Sequence, residues 1–126
     1  RDICHREKEF FNTLLRLNKT LMTVLNAEDT HISVLFGCSG TGANEAICAS
    51  IHGKVLVVNN GKYSDRICSI LERYNIPINR LKVPPLEPLD LNLVEKTLQE
   101  DADITHMYVV HHETTTGALL PLRKYL

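Results

Sequence analysis

The sequence predicts an α/β domain, a layered α/β/α arrangement with a mostly parallel sheet, and three observations predict it. Short apolar runs alternate with stretches of helical periodicity. One of those runs, Val55-Leu56-Val57-Val58, is continuously apolar, the mark of a strand covered on both faces. Tight hairpin signals are missing from the links, so the strands are expected to be joined by crossovers and to run parallel.

Taken in order, Phe10, Phe11, Leu14, Leu15, Leu21, Met22 and Leu25 form a helical stripe that predicts one amphipathic helix over residues 7–26. A polar turn over 26–30 follows. Ile32 to Phe36 reads as a buried strand that runs into Gly37-Cys38-Ser39-Gly40-Thr41-Gly42, and Ala43, Ala46, Ile47, Ser50 and Ile51 then repeat at helical spacing. Lys54 to Asn59 reads as a strand, broken by Asn60-Gly61. Ile67, Ile70, Leu71 and Tyr74 mark the next helix, with Tyr63 at its front edge, either a packing residue or a flat face for a ring. Residues 75–80 read as a turn, Leu81 to Val83 as a short strand, and Pro84 to Pro88 as a loop kept irregular by proline. Asp90 is placed to cap a helix through Glu100 that buries Leu91, Val94 and Leu98. Ile104 to His111 reads as the last strand, ending in His112-Glu113-Thr114-Thr115-Thr116-Gly117.

Composition narrows the function classes. A chain of 126 residues makes one domain at most, and a formal charge of -1 with interspersed signs speaks against a nucleic-acid surface or a basic membrane patch. No apolar run approaches a membrane span and no signal peptide opens the chain, so a soluble, cytoplasmic protein is expected. Cys4, Cys38, Cys48 and Cys68 form no C-x-x-C pair and no zinc spacing, which suits reduced thiols; Cys38 reads as a small core residue rather than a nucleophile. His111, His112 and Glu113 have metal-ligating chemistry, but neighbours on a strand point to opposite faces, so no metal site is expected.

The chemistry is expected at the glycine turn. A turn that opens a helix leaves backbone N–H groups unpaired at the positive end of the dipole, and glycines let a ligand approach the main chain, so the natural guest is a phosphate or another anion. Ser39 and Thr41 would add hydroxyls. A Walker A loop needs a lysine that is absent, Gly37, Gly40 and Gly42 are spaced G-x-x-G-x-G rather than as a dinucleotide fingerprint, and Gly40 directly after Ser39 rules out a nucleophile elbow. Asn60-Gly61 and the Thr-rich loop end strands on the same rim, where open α/β sheets bind ligands, so a pocket is expected there.

Three motifs, in this order and at these separations, resemble one family. Ser39-Gly40-Thr41-Gly42, Asn60-Gly61-Lys62-Tyr63-Ser64-Asp65-Arg66 and His112-Glu113-Thr114-Thr115-Thr116-Gly117 are similar to segments of the class V aminotransferases, pyridoxal-phosphate enzymes of the type I fold. Within that class, Asp2-Ile3-Cys4-His5-Arg6-Glu7-Lys8-Glu9-Phe10 and the Thr-rich loop most resemble the 2-aminoethylphosphonate:pyruvate branch. The glyoxylate branches usually show Glu-Ser-Ser-Thr-Gly at the loop.

The resemblance implies roles that the physical reading allows. Ser39, Gly40, Thr41, Gly42 and Ala43 would hold the phosphate of pyridoxal 5'-phosphate, Tyr63 would stack on its ring, and Thr114 would bond near its phenolic oxygen. It implies amino transfer from 2-aminoethylphosphonate to pyruvate, giving phosphonoacetaldehyde and alanine, in a homodimer. None of Lys54, Lys62, Lys82, Lys96 or Lys124 occupies the place of the family's Schiff-base lysine, so this chain is expected to hold no catalytic residue of its own. Residues 1–126 are thus expected to be an internal piece of the cofactor-binding (large) domain, lacking the N-terminal stretch, the lysine half and the small domain, and inactive alone. A glyoxylate-type class V enzyme and a non-catalytic α/β anion-binding module remain open as alternatives.

Overall fold

The computed structural model describes residues 3–84 and 86–124, so Arg1, Asp2, Pro85, Tyr125 and Leu126 of the segments named above lie outside the described residues. The chain divides into two compact units, Arg1–Gly37 and Cys38–Leu126.

In the first unit the apolar stripe forms helix α1, Lys8–Leu25. Asn26 ends it in the left-handed conformation at φ 55°, with its N–H on the Thr23 carbonyl at 3.1 Å and that of Ala27 on the Met22 carbonyl at 3.0 Å. The segment after the turn corrects the sequence reading. Residues 32–36 form no strand, and Ile32, Val34 and Phe36 are 87%, 68% and 55% exposed. An apolar run reports surface that favours cover, but a strand also needs a second segment in register, and residues 32–36 pair with none among the described residues.

The second unit holds helix α2 (Gly40–Ala49), strand β1 (Lys54–Asn59), helix α3 (Lys62–Arg73), strand β2 (Ile78–Lys82), helix α4 (Leu91–Glu100) and strand β3 (Ile104–Val109). The three strands form a parallel sheet in the order β2-β1-β3. β1 is central, which is why its four apolar residues are all fully buried. Val55 and Val57 pack with Cys48 of α2 and with Ile67, Cys68 and Leu71 of α3, while the period of two turns Leu56 and Val58 to the opposite face. The steps β1 to β2 and β2 to β3 run in opposite directions across the sheet, so right-handed crossovers put α3 and α4 on opposite faces, the layered α/β/α plan.

Several boundaries differ from the sequence reading, and β3 ends at Val109 rather than at His111. β2 starts at Ile78, inside the expected turn, because the Pro77 carbonyl already accepts the Val55 N–H at 2.9 Å and draws the following residues into register. The Thr-rich loop proves to be a tight hairpin. Strands β4 (His112–Glu113) and β5 (Ala118–Leu119) pair antiparallel around Thr114–Gly117, closed by Gly117 at φ 74° with its N–H on the Glu113 carbonyl at 2.8 Å. Three threonines carry no hairpin signature, so only the final glycine announced the turn. A short 3-10 turn, Leu122–Lys124, follows.

Asp90 caps α4 as expected, accepting the Asn92 N–H at 2.9 Å. Replacing Asp90 by Ala is expected to cost about 1 kcal/mol, read as a lower urea midpoint. At the other end of α4, Asp101 meets Lys54 Nζ at 2.6 Å and Asn79 Nδ2 at 3.2 Å, joining α4 to β1 and β2. Hydrogen bonds from Lys54 and then Asn79 hold the Asp101 carboxyl below its ordinary value. A depressed carboxyl stabilises the fold above its unfolded pKa, about 3.9, and that contribution fades as pH falls through the lower folded value. Asp101→Asn is therefore expected to flatten the acid side of the stability profile below about pH 4, measured by urea titrations across pH.

β2 and β3 each have one edge without a strand partner among the described residues, and Met107 of β3 is exposed. Residues 1–126 expressed alone are expected to self-associate through these edges, seen as growing light scattering; a stable, cooperative monomer would refute this.

Candidate functional site

Parallel strands bring the carboxyl ends of β1 and β3 to one rim, and α2 opens beside them. Ser39 is the N-cap of α2, in extended conformation, and Gly40, Thr41, Gly42 and Ala43 form its first turn. The Ser39 carbonyl accepts the N–H of Gly42 at 2.9 Å and that of Ala43 at 3.4 Å. The N–H groups of Gly40 and Thr41 have no acceptor among the described residues and form the donor pair of the helix end. A Cβ built at Gly40 meets nothing within 4 Å, so the space beside this pair is open. Gly42 is constrained instead: a Cβ there would lie 2.6 Å from Cys38 Sγ. Cys38 is exposed, contrary to the core reading; it lies before α2 starts, against the bare Cα of Gly42, and contributes nothing to the β1 core.

Thr41 and Tyr63 line one cleft of about 150 Å³, with Asn44, Arg66, Tyr108 and Val110 among its other walls. That is the size of a cavity that takes a single six-membered ring. Arg66 donates from Nη1 to Thr41 Oγ1 at 3.1 Å, which sets a cation beside the open donor pair of α2 and leaves the Thr41 hydroxyl proton free to donate outward. Tyr108 donates its hydroxyl to Asn44 Oδ1 at 3.3 Å. Burial, followed by the nearby Cys48, pushes the Tyr108 phenol up from its ordinary value, so it stays a protonated donor and ties β3 to α2.

The structure thus brings Thr41 and Tyr63 to one cleft and puts Ser39, Gly40, Gly42 and Ala43 at its helix end. Thr114 is not a wall of that cleft. It is exposed in the hairpin loop, next to Glu113, whose carboxylate accepts the Tyr63 N–H at 3.1 Å. The sequence reading missed Arg66, Asn44, Tyr108 and Glu113. Two of them had a signal, since Arg66 and Asn44 lie three residues beyond Tyr63 and Thr41 on the same helix faces. Among the described residues no three of His, Cys, Asp and Glu are grouped to hold a metal ion, and no helix is long and apolar enough to cross a membrane.

These residues fit pyridoxal phosphate in kind. A free N–H pair, a hydroxyl and a guanidinium suit the phosphate, and an aromatic face beside a ring-sized cleft suits the pyridine.

No family model matches the chain. Its sequence is 38% identical over 128 residues to a bifunctional phosphonoacetaldehyde hydrolase/aminoethylphosphonate transaminase of Clostridioides difficile, covering 98% of the chain and 20% of that protein. It is 36% identical to the 2-aminoethylphosphonate–pyruvate transaminases of Bacillus cereus and Vibrio vulnificus, covering 96% and 99% of the chain and 36% and 35% of theirs. The chain therefore spans about a third or less of the length of these relatives. Among solved structures, an alanine–glyoxylate aminotransferase from Nostoc sp. superposes with a TM-score of 0.79 at 21% identity, covering 97% of this chain and 33% of that one. A ureidoglycine–glyoxylate aminotransferase from Bacillus subtilis superposes at 0.81 and 18% identity, covering 99% and 33%. Along nearly its whole length the chain is thus similar in sequence to 2-aminoethylphosphonate–pyruvate transaminases, and its fold is the type I fold of the aminotransferases on which it superposes.

Proposed function

We propose that the protein to which this segment belongs is a pyridoxal-phosphate transaminase that moves the amino group of 2-aminoethylphosphonate to pyruvate, giving phosphonoacetaldehyde and alanine. The observation that carries this is identity of 36–38% along nearly the whole chain with proteins of that activity. Fold likeness alone would not choose a substrate, since one scaffold serves many reactions.

Pyridoxal phosphate, when bound, supplies the electron sink that lets an amino group leave one carbon and join another. The residues of this segment bind and orient it. The N–H groups of Gly40 and Thr41, the Thr41 hydroxyl and Arg66 hold the phosphate, with Ser39, Gly42 and Ala43 building the turn that aims them. Tyr63 would stack on the ring, and Thr114, on the hairpin beside Glu113 rather than on the cleft wall, would hydrogen-bond near its phenolic oxygen. A homodimer, with the partner completing the phosphate site, belongs to the same reading. Four free thiols suit a reducing cytoplasm.

The test is the full-length protein incubated with pyridoxal phosphate, 2-aminoethylphosphonate and pyruvate. Alanine and phosphonoacetaldehyde are expected in equal amounts. Amino transfer to glyoxylate but not to pyruvate would move the protein to the glyoxylate branch, and no transfer to either would leave an anion-binding module.

A further inference from the structure

Glu113 touches none of the groups assigned to the cofactor's phosphate, yet its side chain is fully buried. A buried carboxylate is costly unless each oxygen is satisfied. Here Oε2 accepts the Tyr63 N–H at 3.1 Å, and Oε1 accepts the Thr115 N–H at 3.2 Å and the Thr115 hydroxyl at 2.5 Å. The first bond explains the need for a carboxylate. Helix α3 is preceded by Gly61, which has no side chain to cap it. Ser64 Oγ takes the N–H groups of Asn60 and Gly61 at 3.0 and 3.1 Å, and the Tyr63 N–H is left for an acceptor from outside the helix. Glu113 supplies that acceptor at the positive end of the dipole.

Gly61 makes room for it. A Cβ there would lie 2.6 Å from Cγ, Cδ and Oε2 of Glu113. Its φ of 164° is extended backbone open to any residue, so close approach, not backbone angle, is what requires glycine. The two carboxylate oxygens thus reach the two elements that carry Tyr63 and Thr114. One oxygen holds the amide of Tyr63 itself, and the other holds the residue just after Thr114.

We infer that Glu113 is a positioning residue, whose carboxylate sets the spacing between Tyr63 and Thr114, the aromatic face and the hydroxyl that hold a flat heteroaromatic ring. The inference rests on the function proposed above. Glutamine is a poor substitute, because both oxygens accept from N–H groups and an amide offers one acceptor and one opposing donor.

The test titrates pyridoxal phosphate into the full-length protein and follows the visible absorbance and circular dichroism of the bound chromophore. Glu113→Gln is expected to raise the cofactor Kd about tenfold, the low end of what loss of a supporting partner costs a bound group, and to change the dichroism per bound chromophore. Gly61→Ala, which pushes the carboxylate aside without altering charge, is expected to do the same. A folded Glu113→Gln or Gly61→Ala protein with wild-type affinity and dichroism would overturn the inference. Should neither fold, Thr115→Val decides, since it deletes one donor to Oε1 from an exposed residue; a Kd raised about twofold is expected, roughly one weak hydrogen bond, and an unchanged one overturns. If the wild-type protein develops no chromophore, the proposed function fails and this inference with it; a wild-type chromophore with unchanged variants sinks the inference alone.

Discussion

Replacing Leu71 by Ala is expected to lower the stability of the protein by about 2–5 kcal/mol, seen as a fall in urea midpoint at unchanged slope. Leu71 is fully buried on α3, in the cluster with Cys48, Val55, Val57, Ile67 and Cys68. Truncation removes its packing on β1 and leaves a cavity between helix and sheet that the rigid central strand cannot close. The effect also reaches the site, because α3 carries Tyr63 and Arg66 at its opposite end. A loss below about 1 kcal/mol, the average for any substitution, would mean that this contact is not the keystone of the core.

Replacing Thr41 by Val is expected to weaken retention of pyridoxal phosphate by about 10–100-fold in the full-length protein, measured by equilibrium dialysis. Valine keeps the shape and removes the hydroxyl. A hydrogen bond to a charged group contributes about 1.5–3 kcal/mol, and each 1.4 kcal/mol is a factor of ten. The same change takes away the acceptor of Arg66 Nη1, so the guanidinium loses its anchor on α2. Unchanged retention would remove Thr41 from the phosphate cup.

Where one residue's environment is set by its own neighbours in sequence, the sequence was a good guide. Val55 to Val58 announced a strand buried on both faces, and Asp90 announced the start of α4. Ile32 to Phe36 misled, because an apolar run states a preference for burial and says nothing of which segment would pair with it. The hairpin at Thr114–Gly117 was missed for a related reason: its closure depends on Gly117 and on the Glu113 carbonyl, not on the threonines between them. The glycine turn and the resemblance named Thr41 and Tyr63, and these two line one cleft. Glu113 was weighed only as a metal ligand. Its partner at Tyr63 lies fifty positions earlier, a distance over which no local pattern reports.

That separation shapes how the protein is made. A ribosome releases α3 with its opening turn unfinished, and the acceptor for the Tyr63 amide emerges roughly 3–10 seconds later at ordinary rates of synthesis. β1 waits as well, since His106 and its neighbours on β3 are also still to come. Through that interval the nascent chain holds an apolar strand open along its β3 side and a fraying helix, the kind of exposed surface that chaperones bind.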